Sequence, residues 1–417
     1  MNAKVTCDKV SGTINAIASK SVAHRQLIAA ALSTQPTIID CCSVNDDILA
    51  TVNCLKSIGA EINYTDGAFY VTPSKNAKSK ILDCNESGTT LRMLLPVVCA
   101  IGGEWQFIMR GRLSKRPLDP LKDELAAHGI KFHYEDADRL NVSGKLTNGD
   151  YSISGEVSSQ FISGLLFALS ILKGKSTLTV RGKLESAPYV EMTLGVLNSM
   201  GADIKKSEQT FYINGSSLMA QPRISVEGDW SNAAFLLSAG ALGGSVTLNN
   251  VNTSSTQGDM QILELLKGFG ALVRENESSV TVSSKNLCAI QIDAQNIPDL
   301  VPILSVVAAG AKGDTHIYGA SRLRIKESDR LQTTYELLKN IGADVELKDD
   351  GFIIHGKERL CGGTVNSYND HRIAMSAAIA SILCDNEVEI LEAQAVSKSY
   401  PDFWKDIQSL GFNVDIT

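Results

Sequence analysis

Residues Ser321 to Leu347 read Ser-Arg-Leu-Arg-Ile-Lys-Glu-Ser-Asp-Arg-Leu-Gln-Thr-Thr-Tyr-Glu-Leu-Leu-Lys-Asn-Ile-Gly-Ala-Asp-Val-Glu-Leu. The second half decides the fold. Leu331, Tyr335, Leu338 and Ile341 recur at helical spacing and place one apolar stripe on a helix. Gly342 follows where a left-handed C-cap is needed, because glycine has no Cβ to clash at positive φ. Asp344 to Leu347 alternates polar and apolar as a half-buried strand does. With the helix starting near Glu327, Lys326 and Arg330 stand four apart and can point the same way from its first turn. Helix starts carry unpaired N–H groups and partial positive charge, so fixed cations there build a site for a multiply charged anion. Ser328 reads as the cap, Asp329 as orienting the cations, and Glu327 as available for proton work. Taken alone, the run reads first as a solvated helix start with surface ion pairs, which contribute little.

The pattern of helix, glycine and strand recurs along the chain. Ile58-Gly59-Ala60, His128-Gly129-Ile130, Met200-Gly201-Ala202, Phe269-Gly270-Ala271, Ile341-Gly342-Ala343 and Leu410-Gly411-Phe412 stand about 70 residues apart. The helices ending there start near Asp46, Pro117, Pro188, Asp259, Ser328 and Pro401. A second, more apolar set starts near Ser21, Thr89, Ser159, Ser231, Asp299 and Asp370. Proline, aspartate and serine belong at such starts. Each repeat therefore predicts a strand, a buried helix, a strand, an outer helix and a strand pair, βαβαββ. Six repeats divide into two domains of three, giving an α/β (α+β) chain whose active-site cleft lies between domains. Changeovers near Ile17 and Gly228 make residues 1–17 plus 229–417 one domain, holding both termini, and residues 18–228 the other. The last repeat is short after Gly411, and a strand at Lys4–Lys9 is expected to complete it.

A chain of 417 residues exceeds one ordinary core, which agrees with two domains. The net charge of −7 argues against a nucleic-acid surface or an anionic membrane as partner, and makes local cation clusters stand out. Met1–Cys7 has no signal-peptide core, and no apolar run reaches the ~18 residues of a membrane span. Nine cysteines without a C-x-x-C pair, and six scattered histidines, fit free thiols rather than disulfides or zinc. The expectation is a soluble cytoplasmic monomer.

Residues of functional type gather at the helix starts. Ser19-Lys20-Ser21 with Arg25 opens the first buried helix, and Glu86-Ser87-Gly88-Thr89-Thr90 with Arg92 opens the second. Ser158-Ser159-Gln160, Ile297-Pro298-Asp299 and Asn369-Asp370-His371-Arg372 open three more. Outer helices are preceded by Arg110 to Arg116, by Ser186-Ala-Pro-Tyr189, by the opening stretch and by Ser397-Lys398. Serine, threonine or aspartate at a helix start is ordinarily a cap contributing about 1 kcal/mol. Caps do not explain why cations accompany them, since the helix dipole disfavours positive charge there unless an anion binds. The joint pattern points to small phosphorylated or carboxylated ligands.

These motifs, in this order and across essentially the whole chain, resemble the family of 5-enolpyruvylshikimate-3-phosphate synthases. The most specific are Gly12-Thr-Ile with Ser19-Lys-Ser-x-x-x-Arg25, Ser87-Gly-Thr-Thr-Leu-Arg92, Arg112 to Pro117, Ser158-Ser-Gln160, Arg324 to Arg330, Asp370-His-Arg372, and Lys398 before Pro401-Asp402. The resemblance implies transfer of the enolpyruvyl group of phosphoenolpyruvate to the 5-hydroxyl of shikimate 3-phosphate, with no metal and no organic cofactor. It implies that Lys20, Ser21, Arg25, Ser158, Ser159, Gln160, Ser186, Tyr189, Asp299 and Lys326 hold shikimate 3-phosphate. Phosphoenolpyruvate would fall to Lys20, Gly88, Thr89, Arg112, Gln160, Arg330, Arg372 and Lys398. Asp299, Glu327 and Lys20 are the expected proton carriers, Asp299 near the attacking hydroxyl and Glu327, with Lys20, near the methylene carbon. Cations facing an empty cleft repel, so an open form that closes on shikimate 3-phosphate is expected, with a change in radius of gyration. Glu86 and Arg322 depart from the family pattern. Gly88 leaves room where a methyl group would weaken glyphosate, so sensitivity to that herbicide is expected.

Two other readings compete. A UDP-N-acetylglucosamine enolpyruvyl transferase shares the fold and donor, but that family carries a reactive cysteine on the loop corresponding to Arg110–Pro120, where this chain has none. A non-catalytic repeat protein binding an anionic metabolite would need the carboxylates only as ion partners.

Overall fold

The computed structural model describes residues Met1 to Thr417, and the chain falls into two compact units. One, the terminal unit, comprises Met1–Ser19 and Glu227–Thr417; the other, the inserted unit, is Lys20–Val226. The changeovers expected from the sequence were near Ile17 and Gly228. No helix is long and apolar enough to cross a membrane.

Twelve α-helices follow the repeat in pairs, an inner helix and then an outer one. They are α1 (Lys20–Leu32) and α2 (Asp46–Ile58), α3 (Gly88–Ile101) and α4 (Asp119–Ala127), α5 (Ser159–Ile171) and α6 (Ala187–Ser199). The terminal unit holds α7 (Trp230–Gly243) and α8 (Ile262–Phe269), α9 (Val301–Ala309) and α10 (Arg330–Asn340), α11 (His371–Ala380) and α12 (Phe403–Ser409). The inner helices are buried nearly throughout, as their apolar composition requires. The six glycines that end the outer helices all have positive φ, from 80° at Gly201 to 116° at Gly59. At Gly59 the cap N–H returns to the carbonyls of Leu55 and Lys56.

Six four-stranded sheets accompany the helices, each a parallel pair extended by an antiparallel pair, which is a hairpin in five of them. In one, Ile81–Asp83 runs parallel to Gly103–Ile108, which pairs antiparallel with Arg139–Gly144 and through it with Lys131–Asp136. That parallel pair needs a crossover, and the inner helix α3 supplies it. The short last repeat is completed by the N-terminus. Ala3–Thr6 lies between Val388–Leu391 and Asn413–Ile416, with Ala3 opposite both Ile390 and Ile416. Val10–Asn15 then runs parallel to Gly244–Asn249. In the inserted unit, Arg223–Ser225 returns to pair with Thr37–Asp40.

One close approach sets the inner packing. A Cβ on Gly164 of α5 would lie 2.5 Å from the Arg92 carbonyl of α3 and 2.9 Å from Pro96. Glycine there lets the starts of α3 and α5 come together.

The opening stretch departs from its expected form. Ser321–Ile325 is a 3-10 turn, Lys326 is extended, and α10 begins only at Arg330. Asp329, not Ser328, is the cap, its carboxylate accepting from the Gln332 N–H at 3.1 Å. Ser328 is fully buried and donates to Asp370 Oδ2 at 3.0 Å. A carboxylate accepts strongly from a backbone N–H, which leaves the serine hydroxyl for a buried neighbour.

Candidate active site

In the terminal unit, the starts of α9, α10 and α11 bring Asp299, Lys326, Glu327, Arg330, Asp370 and Arg372 together. Arg330 is 1 % exposed and central. Its Nε donates to Asp370 Oδ2 at 2.7 Å, its Nη1 to Asp299 Oδ1 at 2.8 Å, and its Nη2 stands 2.7 Å from Glu327 Oε2. Burial works against its charge, but Asp370, Glu327 and Asp299 outweigh this and raise its pKa. Arg372 donates to Asp299 Oδ2 at 2.8 Å, and Lys326 lies 3.7 Å from Asp299 Oδ1. Asp299 thus faces three cations. Burial pushes its carboxyl up, yet Arg372, Lys326 and Arg330 hold it well below the ordinary carboxylate range. Lys326 is pulled the other way: burial brings its ammonium down to about 8 against the attraction of Asp299.

Asp370 is fully buried and also caps α11, accepting from the Arg372 N–H at 3.0 Å. The two residues before it, Tyr368 and Asn369, both have positive φ, near 53° and 55°. This strained turn presents the Asn369 carbonyl to Lys398, whose Nζ donates to it at 2.8 Å. Asp259, beside α8, is buried and takes the Ser231 hydroxyl. Burial and the nearby Asp299 push its carboxyl up to about 7.

In the inserted unit, Lys20 opens α1 and pairs with Asp47 Oδ2 at 3.0 Å. Arg25, one turn on, is 1 % exposed. It donates to Thr193 Oγ1 and to the carbonyls of Ser21 and Tyr189 at 2.7–2.9 Å, so it ties α1 to α6 beneath the surface; burial brings its pKa down to about 10. Ser158 caps α5, and both Ser158 and Ser159 are 5 % exposed. Gln160 accepts from Arg92 Nη1 at 3.0 Å and donates to Thr89 Oγ1 at 2.8 Å, joining the starts of α3 and α5. Ser186 stands at the start of α6 with φ 54°, a left-handed conformation that costs a non-glycine residue free energy. Tyr189 follows in the first turn of that helix.

The loop before α4 is set against the start of α3. The Arg116 guanidinium lies over Gly88, 2.8 Å from where a Cβ would stand, and the Glu86 carboxyl is packed against Gly111 in the same way. Arg112 stands exposed just before the 3-10 turn Leu113–Lys115.

The residues named from sequence therefore fall into two sets. Asp299, Lys326, Glu327, Arg330 and Arg372 form one ion cluster, with Lys398 on the adjoining turn. Lys20, Ser21, Arg25, Gly88, Thr89, Gln160, Ser158, Ser159, Ser186 and Tyr189 line helix starts of the inserted unit. Sequence reasoning took the helix-start cations to be bare and therefore costly. Four of them have resident carboxylate partners instead: Lys326, Arg330 and Arg372 meet Asp299, Glu327 or Asp370 in one unit, and Lys20 meets Asp47 in the other, while Arg25, Arg92 and Lys398 donate to neutral oxygens. Asp47, Asp259 and Arg116 were missed as site neighbours. A carboxylate in a first turn reads as a favourable dipole partner, and nothing local signals that a cation from another helix meets it.

A family model described as EPSP synthase (3-phosphoshikimate 1-carboxyvinyltransferase) matches residues 5–407. A protein of Clostridium perfringens named 3-phosphoshikimate 1-carboxyvinyltransferase is 42 % identical over 413 residues, covering 98 % of this chain and 97 % of that one. One of Brachyspira hyodysenteriae with the same name is 40 % identical over 421 residues, covering 99 % and 100 %. Among solved structures, EPSP synthase from Acinetobacter baumannii superposes with TM-score 0.83 at 25 % identity over the full length of both chains. The enolpyruvyl transferase NikO from Streptomyces tendae, at TM-score 0.81 and 19 % identity over 100 % of this chain and 98 % of that one, shares the fold.

Proposed function

The chain belongs to the EPSP synthase family, and on that premise we propose that it transfers the enolpyruvyl group of phosphoenolpyruvate to the 5-hydroxyl of shikimate 3-phosphate. The observation that carries this reading beyond the family is the cluster around Asp299, where a carboxylate is shared by Arg372, Lys326 and Arg330. Such a carboxylate is a poor base while its cations attend to it. Anionic groups of the substrates compete for the same guanidinium and ammonium groups. As Arg372, Arg330 and Lys326 turn to them, Asp299 loses its partners, and its pKa rises toward the range useful for accepting a proton. The base is switched on by the substrates it serves.

In this reading the acceptor oxygen gives its proton to Asp299 and bonds to C2 of the enolpyruvyl group, while the methylene carbon takes a proton from Glu327 or Lys20. The tetrahedral adduct then breaks the bond from C2 to the phosphate oxygen and returns a methyl proton, restoring the double bond and releasing phosphate. Arg112, Arg330, Arg372 and Lys398, with Gln160 and the N–H groups of Gly88 and Thr89, hold the donor. Ser158, Ser159, Ser186, Tyr189, Lys20 and Lys326 hold shikimate 3-phosphate, and Arg25 serves it by fixing Ser21 and Tyr189. Fixed cations do here the charge work that a metal ion does elsewhere.

Phosphate release from phosphoenolpyruvate tests the proposal directly. Release is expected with shikimate 3-phosphate as acceptor and not with UDP-N-acetylglucosamine; silence with the first overturns the reading. Binding of both substrates without turnover would favour the non-catalytic reading instead.

A further inference from the structure

The buried polar groups of the inserted unit include one titratable side chain that the reaction does not use. His24 of α1 is 1 % exposed and sits one turn after Lys20. Its Nδ1 is 2.7 Å from Thr51 Oγ1 of α2, and that oxygen is 2.6 Å from Thr90 Oγ1 of α3. Thr90 donates its hydroxyl to Ser87 Oγ at 2.8 Å, and its backbone N–H to the same oxygen at 3.2 Å. Ser87, at 1 % exposure, is the cap of α3, and Gly88 and Thr89 come next. Four side chains on three helices thus form one line ending at the helix start assigned to the donor.

The line has a direction. A hydroxyl has one proton to give. Thr90 gives its proton to Ser87, so the bond between Thr51 and Thr90 must be donated by Thr51. With its own proton spent, Thr51 can only accept from the imidazole. We propose that His24 is held as the neutral Nδ1–H tautomer and, through Thr51 and Thr90, fixes the Ser87 cap and so the N–H groups of Gly88 and Thr89: it is a positioning residue for the donor. The far side of the ring agrees. His24 Nε2 is buried with no hydrogen-bond partner. The other tautomer would leave an N–H donor there unmet, besides setting two acceptors against each other at Thr51. Burial, reinforced by Lys20 and Arg25, also holds the imidazole below its ordinary range, which keeps it neutral.

The tautomer assignment stands on the hydrogen-bond geometry alone; the positioning role rests on the donor assignment proposed above. Two measurements separate them. Nitrogen NMR of the full-length enzyme labelled with ¹⁵N-histidine, His24 being identified by the signal lost in His24→Asn, is expected to show Nδ1 protonated and Nε2 bare at neutral pH. A protonated Nε2 overturns the proposal whatever the enzyme's activity, and the other five histidine signals staying in place in His24→Asn show that the variant is folded and the signal rightly identified. In steady-state kinetics Thr51→Val, which cuts the line, is expected to raise KM for phosphoenolpyruvate roughly three- to tenfold, as loss of one buried hydrogen bond would. KM for shikimate 3-phosphate and kcat should stay within about twofold, and Thr51→Ser, which keeps the hydroxyl, should restore the wild-type value. Equal changes in both KM values, or none in Thr51→Val, overturns the positioning role. Absence of turnover in the wild type would overturn the donor assignment while leaving the tautomer result standing.

Discussion

Gly88 illustrates what a single residue decides here. Seen in the sequence, it is open space at a helix start; in the structure, that space is bounded by the Arg116 guanidinium at 2.8 Å from the missing Cβ. Gly88→Ala must displace a charged group as well as narrow the donor's room, and crowding of this kind costs about 1–3 kcal/mol. We expect a higher KM for phosphoenolpyruvate and weaker inhibition by glyphosate, read from inhibition constants of the two proteins. Adding Arg116→Ala should recover part of the loss if the guanidinium is the obstacle, and none if the methyl group meets the ligand directly. Glu327 supplies the second residue-level test. Glu327→Gln keeps the size and a hydrogen-bonding oxygen but cannot carry a proton, so binding of both substrates should persist while kcat falls roughly 10²- to 10⁴-fold. Calorimetric loss of binding together with kcat would assign Glu327 to holding Arg330 instead, with which it pairs at 2.7 Å.

Elements carry the pH behaviour and the packing. Lys326 sits on the extended segment before α10 with its ammonium lowered to about 8 from the usual 10.5. It therefore loses its charge as pH rises through about 8, and KM for shikimate 3-phosphate should climb above that pH. Lys326→Arg, charged throughout, should flatten the climb; a profile indifferent to that change removes Lys326 from the acceptor site. Its effect on folding has the opposite sign. Between about 8 and 10.5 the unfolded chain binds the proton that the folded one has released, so this group's contribution to stability rises with pH in that window. In the inserted unit, α3 and α5 meet at Gly164. Gly164→Ala puts a methyl group 2.5 Å from the Arg92 carbonyl, and thermal denaturation should show a loss of about 1–3 kcal/mol. Because the same shift disturbs the bond from Arg92 to Gln160, activity should fall even at temperatures where the variant is folded.

At the scale of the molecule, the N-terminus closes the last repeat. Ala3–Thr6 is an interior strand with a partner on each side. Deleting the first eight residues should leave Asn413–Ile416 without a partner strand and Val388–Leu391 paired only with Gly363–Asn366, and hydrogen exchange should rise in both while Lys20–Val226 keeps its protection. Uniform loss of protection along the chain would show instead that the strand supports both units.

The six-fold repeat, its inner and outer helices and its glycine caps were legible in the sequence. Helix starts, stops and apolar periodicity are local properties: each is set by residues within a turn or two of one another. For the same reason the chain announced which helix starts carry cations. The partners of those cations were not legible. Asp299, Arg330 and Asp370 come from three different helix starts in two repeats, and Lys20 meets Asp47 across two helices, so only the packed fold puts them within hydrogen-bond reach. Ser328 gave way to Asp329 as the cap, and its hydroxyl meets a buried carboxylate of another repeat instead. The opening stretch shows the division. Its helix, glycine and strand were fixed by spacing along the chain, whereas the charge states of Lys326 and Asp299 were decided by burial and by neighbours that the sequence does not place beside them.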